Sequence, residues 1–192
     1  MINDNGEVCL VAKNSPIYLE NPYERWKMII LGIDPGYAIV GWGVIEYSGS
    51  KFRTLGYGSI TTPAGMPTVD RLERIYRGMQ ELIEKYHPDE MAVEELFFNT
   101  NSKTAIVVAE ARGIILLAAR LAGVKIAEYT PLQVKQAVVG YGRAEKKQVI
   151  TMVTSLLKLP APPKPDDTAD ALAIAVCHAH SGCSRLADYY NK

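Results

Sequence analysis

The sequence has few cysteines and no long apolar run. Only Cys9, Cys177 and Cys183 occur among 192 residues, too few for a framework of disulfide bonds, which favours a reducing compartment. The longest apolar run, Gly113–Ala119, is far shorter than the roughly 18–20 residues that a membrane helix needs. The N-terminal segment lacks a basic stretch before its short apolar part, which argues against a secretory signal. We therefore expect a cytoplasmic protein without a membrane partner.

The chain also lacks net charge, because 21 basic residues balance 21 acidic ones. This balance, taken alone, does not favour a nucleic-acid partner. With 48% apolar and 22% charged residues, the composition is that of a folded globular protein. The length corresponds to about one domain and suffices to bury a core without disulfide bonds.

Residues 1–27 differ from the rest of the chain. They are polar, rich in turn-forming residues and without a sustained period, and Met28 stands directly before an apolar run. This pattern predicts a leader over residues 1–27, loosely ordered or untranslated. The predicted folded domain spans residues 28–181, and a C-terminal tail spans residues 182–192.

The remaining pattern alternates between strand-like and helix-like segments. Short β-branched runs predict five strands: Met28–Ile33, Ile39–Tyr47, Lys51–Ile60, Glu90–Val93 and Val124–Tyr129. Five helices are predicted around them: Val69–Tyr86, Asn101–Leu121, Pro131–Val139, Ala144–Leu159 and Asp167–His180. Because a hairpin-rich start precedes alternating helices and strands, the order predicts an α/β fold, with a mixed five-stranded sheet flanked by helices.

Four carboxylates occupy special places in this order. Asp34 ends the first strand, Glu94 ends the fourth, and Asp167 and Asp170 share a face at the start of the last helix. If the first and fourth strands are neighbours, Asp34 and Glu94 emerge side by side. Clustered acids repel one another and need a cation. Oxygen-only ligands favour Mg²⁺ or Mn²⁺, and two such ions would suit phosphodiester cleavage.

Each acid also has an ordinary structural explanation. Asp34 before Pro-Gly is a common turn former, and Glu94 or its neighbour Glu95 could be surface charge. Asp167 could be a helix N-cap and Asp170 a first-turn acid that favours the helix dipole. The four acids together, on this order of elements, favour a site more strongly than any one of them does alone.

Four glycines surround the first hairpin: Gly32, Gly36, Gly41 and Gly43. Glycine permits tight turns or the close approach of another backbone. A strand rather than a helix follows them, which argues against a dinucleotide-binding loop.

Positive charge is concentrated in one region of the neutral chain. Between Tyr129 and Pro165 a single acid, Glu145, stands among six bases: Lys135, Arg143, Lys146, Lys147, Lys158 and Lys164. Such a patch is typical of a polyanion-binding surface, although a solvated helix face would look similar. Phe97 and Phe98 follow Glu94 in a polar stretch. One of them could stack on an unpaired base while the other is buried.

Cys177, His178, His180 and Cys183 together suggest a zinc site. On a helix, however, His178 and His180 point roughly 200° apart, so they cannot converge on one ion. A structural zinc is therefore not expected here.

Several ordered motifs closely resemble the RuvC family of bacterial Holliday-junction resolvases. They are Gly32-Ile33-Asp34-Pro35-Gly36, Gly41-Trp42-Gly43-Val44, Ala92-Val93-Glu94-Glu95-Leu96-Phe97, Val134-Lys135-Gln136, Ala144-Glu145-Lys146 and Asp167-Thr168-Ala169-Asp170-Ala171-Leu172-Ala173. The resemblance runs from Met28 to about His180. Residues 1–27 lie outside the family pattern, and Asp166 adds an acid beside the last motif.

The resemblance implies a ribonuclease-H-like fold and a homodimer whose two active sites use Mg²⁺ to nick opposed strands of a four-way DNA junction in recombination and repair. It also implies cooperation with the RuvA–RuvB branch-migration complex. By motif, Asp34, Glu94, Asp167 and Asp170 would be the catalytic, metal-binding acids. The implied DNA-binding residues are Phe97 as a base-stacking wedge and Lys135 and Lys146 at phosphates, and the basic patch adds Arg143 and Lys147.

Two other classes share part of this pattern. An actin/Hsp70-like phosphotransfer module also places an acid and glycines on its first hairpin, but it needs a second lobe for which the chain has no room. A catalytically silent module of the same shape would bind nucleic acid without cutting it. The presence of all four acids argues against that class.

The second predicted helix is the candidate subunit interface. Its apolar residues spread wider than one core-facing stripe: Ala105, Ile106, Val107, Val108, Ile114, Ile115, Leu116 and Leu117. We expect the additional apolar face to be buried against a second copy, and a charge at Ile115 or Leu116 to yield monomers. The alternative is that helices of the same chain cover it.

Overall fold

The computed structural model describes residues 27–95 and 102–190, except for the side chains of residues 102–104 and 182–190. The described strands are β1 (Lys27–Asp34), β2 (Ile39–Ser48), β3 (Lys51–Thr61), β4 (Glu90–Glu94) and β5 (Lys125–Tyr129). The described helices are α1 (Thr68–Tyr86), α2 (Ser102–Leu121), α3 (Pro131–Val139), α4 (Lys146–Leu156) and α5 (Asp166–Tyr190). The predicted element order is confirmed.

The largest difference from the predicted boundaries is at the C-terminus. Helix α5 continues to Tyr190, ten residues beyond the predicted end at His180. The segment that follows His180 contains no proline to interrupt the hydrogen-bonded turns, and the Ser181 hydroxyl donates to the Cys177 carbonyl across one turn (2.9 Å). The predicted leader, apart from Lys27, lies outside the described residues, and the domain boundaries stay a prediction.

The five strands form one mixed sheet in the order β3-β2-β1-β4-β5. Strand β2 pairs antiparallel with both β1 and β3, whereas β4 pairs parallel with β1 and β5 pairs parallel with β4. The turn between β2 and β3 places both Gly49 and Ser50 at positive φ, the backbone twist that a two-residue hairpin requires. The predicted mixed five-stranded sheet is confirmed.

Helices cover both faces of this sheet. One apolar cluster lies between the sheet and helices α1 and α2, and the other lies between the sheet and helices α3, α4 and α5. In the described part of helix α5, Ala169 and Ala171–Val176 are almost fully enclosed. No helix in the described part of the chain has the length and apolar character to cross a membrane.

The exposed face of α2 is not the one expected from the sequence. Ile115 is fully buried against α1 and the sheet, and Leu116 packs against the same cluster. The expectation that a charge at Ile115 would only separate subunits is therefore wrong, because this side chain belongs to the core of the chain itself. The apolar residues that α2 leaves exposed are Ile106, Leu117 and Leu121.

Candidate active site at the strand ends

Asp34 and Glu94 lie side by side at one edge of the sheet. The parallel register pairs Gly32 with Ala92 and Ile33 with Val93, so the next residue of each strand is one of the two acids. Both acids follow the side-chain alternation of Ile30 and Ala92, which face α5. The condition on which their adjacency depended, that the first and fourth strands are neighbours, is met.

Glycines on β1 and β2 allow α5 to lie very close to these strand ends. A Cβ on Gly41 would overlap the Asp167 carbonyl, and one on Gly32 would overlap the Ala171 carbonyl of the same helix. The sequence left open whether these glycines serve tight turns or close backbone approach, and the contacts show close approach at both. The glycines thereby bring the first turns of α5, which carry Asp167 and Asp170, down to the acids on the strands.

The electrostatics of Asp34 show that the four acids form one cluster. The pKa of Asp34 is raised from 3.8 to about 7, and burial is the largest cause. The negative charges of Asp170, Glu94 and Asp167 act in the same direction, and the Lys146 ammonium opposes them. The four predicted acids are thus close enough for their charges to interact.

Glu94 experiences the same surroundings from the neighbouring strand. Burial and the charge of Asp170 raise its pKa, while Lys135 and Lys146 act to lower it. Lys135 and Lys146 of the predicted basic patch therefore lie close enough to Glu94 for their charges to act on it.

Lys146, at the start of α4, makes the closest contact with the acids of α5. Its Nζ lies 2.9 Å from Asp170 Oδ2 and 3.7 Å from Asp166 Oδ2. Burial would lower the pKa of Lys146, but the hydrogen bond to Asp170 and the surrounding negative charges raise it overall. The backbone N–H of Glu145 donates to Gln148 Oε1 (2.8 Å), which closes the helix start from which Lys146 projects.

The donor set suits a hard divalent cation, although the side chains do not form a finished coordination sphere. Every candidate ligand is a carboxylate oxygen, and the mutual repulsion that raises the pKa of Asp34 would be relieved by a cation. Within the described residues, no three His, Cys, Asp or Glu side chains converge closely enough to hold a metal. The Lys146 ammonium is the positive charge nearest to Asp170 in this arrangement.

Asp166 and Asp167 occupy different surroundings. The Asp166 side chain is 63% exposed and contacts Lys146, whereas Asp167 is half-buried. The charge of Asp167, and not that of Asp166, is among those that raise the pKa of Asp34. The geometry therefore favours Asp167 as the member of the cluster.

The predicted DNA-binding residues are distributed around this site. Arg143 and Lys147 are exposed, on the loop before α4 and on its first turn, and Lys135 is half-buried on α3 and acts on Glu94. Phe97, the predicted wedge, lies outside the described residues, as does Phe98. Whether either phenylalanine stacks on a base stays a prediction.

Arg112 of α2 is a contributor that the sequence analysis missed. Its Nε donates to the backbone carbonyl of Glu94 (3.3 Å), and its guanidinium pairs with Glu128 of β5. This arginine holds the end of β4, from which the Glu94 side chain projects. No local motif signals the contact, because it joins residues that only the packing of α2 on the sheet brings together.

Among the described side chains of Cys177, His178 and His180, the two histidines lie in different surroundings. His178 is buried and bonded to Tyr129 and Glu90, whereas His180 contacts the Ala137 carbonyl. Burial raises the pKa of the Cys177 thiol to about 11, which makes it a poor metal ligand and nucleophile. The side chain of Cys183 lies outside the described part of the chain.

Comparison with known proteins points to one family. Residues 30–178 match the family model for crossover junction endodeoxyribonuclease RuvC. A protein of that name from Alkaliphilus metalliredigens is 63% identical over 155 residues, which cover 81% of this chain and 94% of the relative. The protein of the same name from Clostridioides difficile is 62% identical over 154 residues, 80% of this chain and 91% of the relative.

The structure is also similar to solved structures of Holliday junction resolvases. Thermus thermophilus RuvC in complex with a Holliday junction substrate superposes with a TM-score of 0.77 and 40% identity, covering 81% of this chain and 94% of that one. A yeast mitochondrial Holliday junction resolvase superposes with a TM-score of 0.59 at 16% identity, covering 92% of this chain and 86% of that one. At that identity the yeast protein supports the fold alone.

Proposed function

Because the chain belongs to the RuvC family of crossover junction endodeoxyribonucleases, we propose that its four-carboxylate cluster is the site that cuts the DNA. The activity is the resolution of four-way (Holliday) junctions during recombination and repair. The family match excludes the actin/Hsp70-like alternative and favours a nuclease over a silent binding module. The observation that carries the site assignment is the adjacency of Asp34 and Glu94 beneath the acidic start of α5.

We propose that Asp34, Glu94, Asp167 and Asp170 hold two Mg²⁺ ions, for which Mn²⁺ can substitute. When bound, such a pair stabilises the attacking and leaving oxygens of an in-line displacement at phosphorus. The protein contributes the carboxylates, held at the ends of rigid elements, and the partial burial that strengthens their charges. Asp170 would then hold a cation in place of the Lys146 ammonium, and Lys146 would be available to a DNA phosphate.

The basic surface is proposed to bind the junction. Lys135, Arg143, Lys146 and Lys147 supply positive charge beside the acids, where a negatively charged strand would otherwise be repelled. Phe97 follows Glu94 by three residues, so we propose it as the side chain that stacks on an unpaired base near the scissile phosphate.

A homodimer is part of the proposal, since a junction presents two scissile strands related by a two-fold axis. The supporting surface is the face of α2 that carries Ile106, Gly113, Leu117 and Leu121. Ile106 and Leu121 are 63% and 68% exposed, and a Cβ on Gly113 would meet nothing within 4 Å. A mid-helix glycine costs about 1 kcal/mol relative to alanine, so its presence on an apolar face favours close packing against a second helix.

We further propose that the dimer acts with the RuvA–RuvB branch-migration complex and in the bacterial cytoplasm, where chromosomal junctions arise. The test is a resolution assay on a mobile junction, with and without RuvA and RuvB. Faster resolution or a change in the preferred cleavage position supports the partnership, and identical products and rates oppose it.

The nuclease site is tested by comparing a synthetic four-way junction with a linear duplex of the same sequence. We expect Mg²⁺-dependent, paired nicks in the junction, loss of nicking in EDTA and recovery with Mn²⁺. Asp34→Asn, Glu94→Gln, Asp167→Asn and Asp170→Asn should each abolish nicking while junction binding in EDTA is retained, because binding depends mainly on phosphate contacts.

Asp166→Asn is the matched control for the cluster. It removes one carboxylate beside Asp167 and should leave the nicking rate within about threefold of the unmodified protein, since surface charge pairs contribute little. Full activity in any of the four cluster variants would remove that acid from the mechanism. Equal cutting of duplex and junction would contradict the assigned selectivity.

A further inference from the structure

A buried polar chain of three hydrogen-bonded side chains, Tyr129, His178 and Glu90, joins α5 to β4. Helix α5 carries two of the acids, and β4 carries Glu94. His178 of α5 is 2% exposed, and its Nδ1 lies 2.8 Å from the Tyr129 hydroxyl of β5. Its Nε2 lies 2.7 Å from Glu90 Oε2 of β4. The mechanism proposed above uses none of these three side chains.

Both ring nitrogens of His178 have a hydrogen-bond partner of the matching kind. An ionised Glu90 carboxylate can only accept, so His178 Nε2 carries the hydrogen that it receives. The Nδ1 of a neutral imidazole then accepts from the Tyr129 hydroxyl. Both ring nitrogens are satisfied inside an apolar cluster, where an unmade hydrogen bond is costly.

The three residues lie on the elements that position the acids. Glu90 precedes Glu94 by four residues on the same face of β4, and Tyr129 pairs directly with Glu94 across β4 and β5. His178 follows Asp167 by eleven residues, or about three helical turns, and so lies on nearly the same face of α5. The hydrogen bonds of His178 with Tyr129 and Glu90 therefore couple the position of α5 to the strand end that carries Glu94.

Helix α5 benefits from such directional contacts because five of the eleven buried residues in its described part are alanines. Small side chains form shallow ridges, which resist sliding or rotation of a helix on a sheet less than large side chains do. Thr168 donates to the Gly58 carbonyl of β3 (3.1 Å) near the start of α5, and His178 contacts β4 and β5 about ten residues later. The helix lies over Gly41 beside the first of these contacts and over Gly32 between the two.

We propose that Tyr129, His178 and Glu90 are positioning residues for the carboxylate site, which set how closely Asp167 and Asp170 approach Glu94. This inference rests on the proposed function, because it predicts that a buried contact remote from the ligands controls the affinity for the metal. Loss of an outer support of metal ligands typically costs about ten- to a hundredfold in affinity. Since this support acts through a helix, we expect roughly three- to tenfold.

The experiment measures Mn²⁺ binding by calorimetry in the absence of DNA, together with thermal unfolding in EDTA. Tyr129→Phe removes one hydroxyl, and Glu90→Ala removes the acceptor, so both should weaken Mn²⁺ binding. Glu90→Gln keeps an oxygen acceptor for His178 and should restore near-normal affinity. Val176→Ala is the control, because it opens a cavity in the same helix and the same cluster without touching the polar chain.

We expect Tyr129→Phe, Glu90→Ala and Val176→Ala all to unfold at a lower temperature than the unmodified protein. Only Tyr129→Phe and Glu90→Ala should also bind Mn²⁺ more weakly. If Glu90→Ala does not fold, Tyr129→Phe alone decides the outcome. Mn²⁺ affinities equal to that of Val176→Ala would overturn the inference and leave the proposed function intact. If the unmodified protein binds Mn²⁺ no better than Asp170→Asn, the carboxylate site itself is wrong.

Discussion

Asp34 is a residue whose surroundings oppose its charge. It lies at the end of a core strand, partly enclosed and near three other acids, and burial together with their repulsion raises its pKa to about 7. Such strain at one residue is characteristic of functional sites, where activity is maintained at the expense of stability. The consequence can be measured without any substrate.

Asp34→Asn should stabilise the metal-free protein at alkaline pH. In the folded protein the pKa of Asp34 is raised above 3.8, so the protonated carboxyl favours the folded state and the ionised carboxylate opposes it. This destabilisation by ionised Asp34 is absent below about pH 4 and complete above about pH 7. At pH 8 in EDTA we expect the free energy of unfolding to rise by on the order of a few kcal/mol. Near pH 4 the difference should vanish. Chemical denaturation at both pH values tests this.

The exposed Asp70 of α1 provides the control for this titration effect. Asp70→Asn removes an acid of the same type far from the cluster, and its effect on stability should be small at both pH values. A gain in Asp34→Asn that does not depend on pH would show that the asparagine stabilises by packing rather than by relief of charge.

Lys135 and Lys146 should each contribute one phosphate contact to junction binding. Lys135→Ala and Lys146→Ala are expected to weaken affinity in EDTA and to reduce the slope of log K against log salt by about one unit each. Lys85 lies exposed on α1, on the other face of the sheet, and Lys85→Ala should leave the slope unchanged. A lysine whose removal does not alter the slope lies on a solvated face.

At the scale of elements, α5 is the part whose placement matters most. Its Asp167 and Asp170 can meet Asp34 and Glu94 only because glycines on β1 and β2 leave room for the helix backbone. Close packing transmits any added volume, since a core has few voids to absorb it.

Gly41→Ala should therefore displace the start of α5. Its Cβ would overlap the Asp167 backbone, so we expect a loss of about 1–3 kcal/mol in stability and at least a tenfold loss of nicking rate, on the order expected for misplaced catalytic groups. In the control Gly78→Ala, the nearest atom is the flexible end of Ile60. That variant should remain active. Thermal unfolding and single-turnover nicking distinguish the two; a fully active Gly41→Ala would contradict the role of close approach.

At the scale of the whole molecule, the proposed dimer places two sites on one junction. Leu117→Glu introduces a charge on the exposed face of α2 and should yield monomers in sedimentation at micromolar concentration, with unpaired nicking. Val69→Glu is the control, because Val69 is 74% exposed on α1 outside this face. A Leu117→Glu protein that stays dimeric would place the interface elsewhere. Ile115→Glu should unfold the chain instead, since Ile115 is fully buried.

The order of elements and the positions of the four acids at element ends could be predicted from the sequence because both are local signals. Apolar residues repeat with the period of a strand or a helix, and Asp34, Glu94, Asp167 and Asp170 stand at the ends of such segments. The glycines of the first hairpin permitted either tight turns or close backbone approach, and the placement of α5 decides for close approach at Gly32 and Gly41. Each of these inferences depends on residues that are near one another in the chain.

Only the tertiary structure decided which faces and partners those elements have. Helix α2 is apolar on most sides, so its pattern could not tell that Ile115 is buried and Leu117 exposed; the packing of α1 and the sheet determines that. The bonds from Arg112 to Glu94 and from His178 to Glu90 join residues 18 and 88 positions apart. Spacing in the sequence carries no signal for such contacts, because they form only when several elements dock at once.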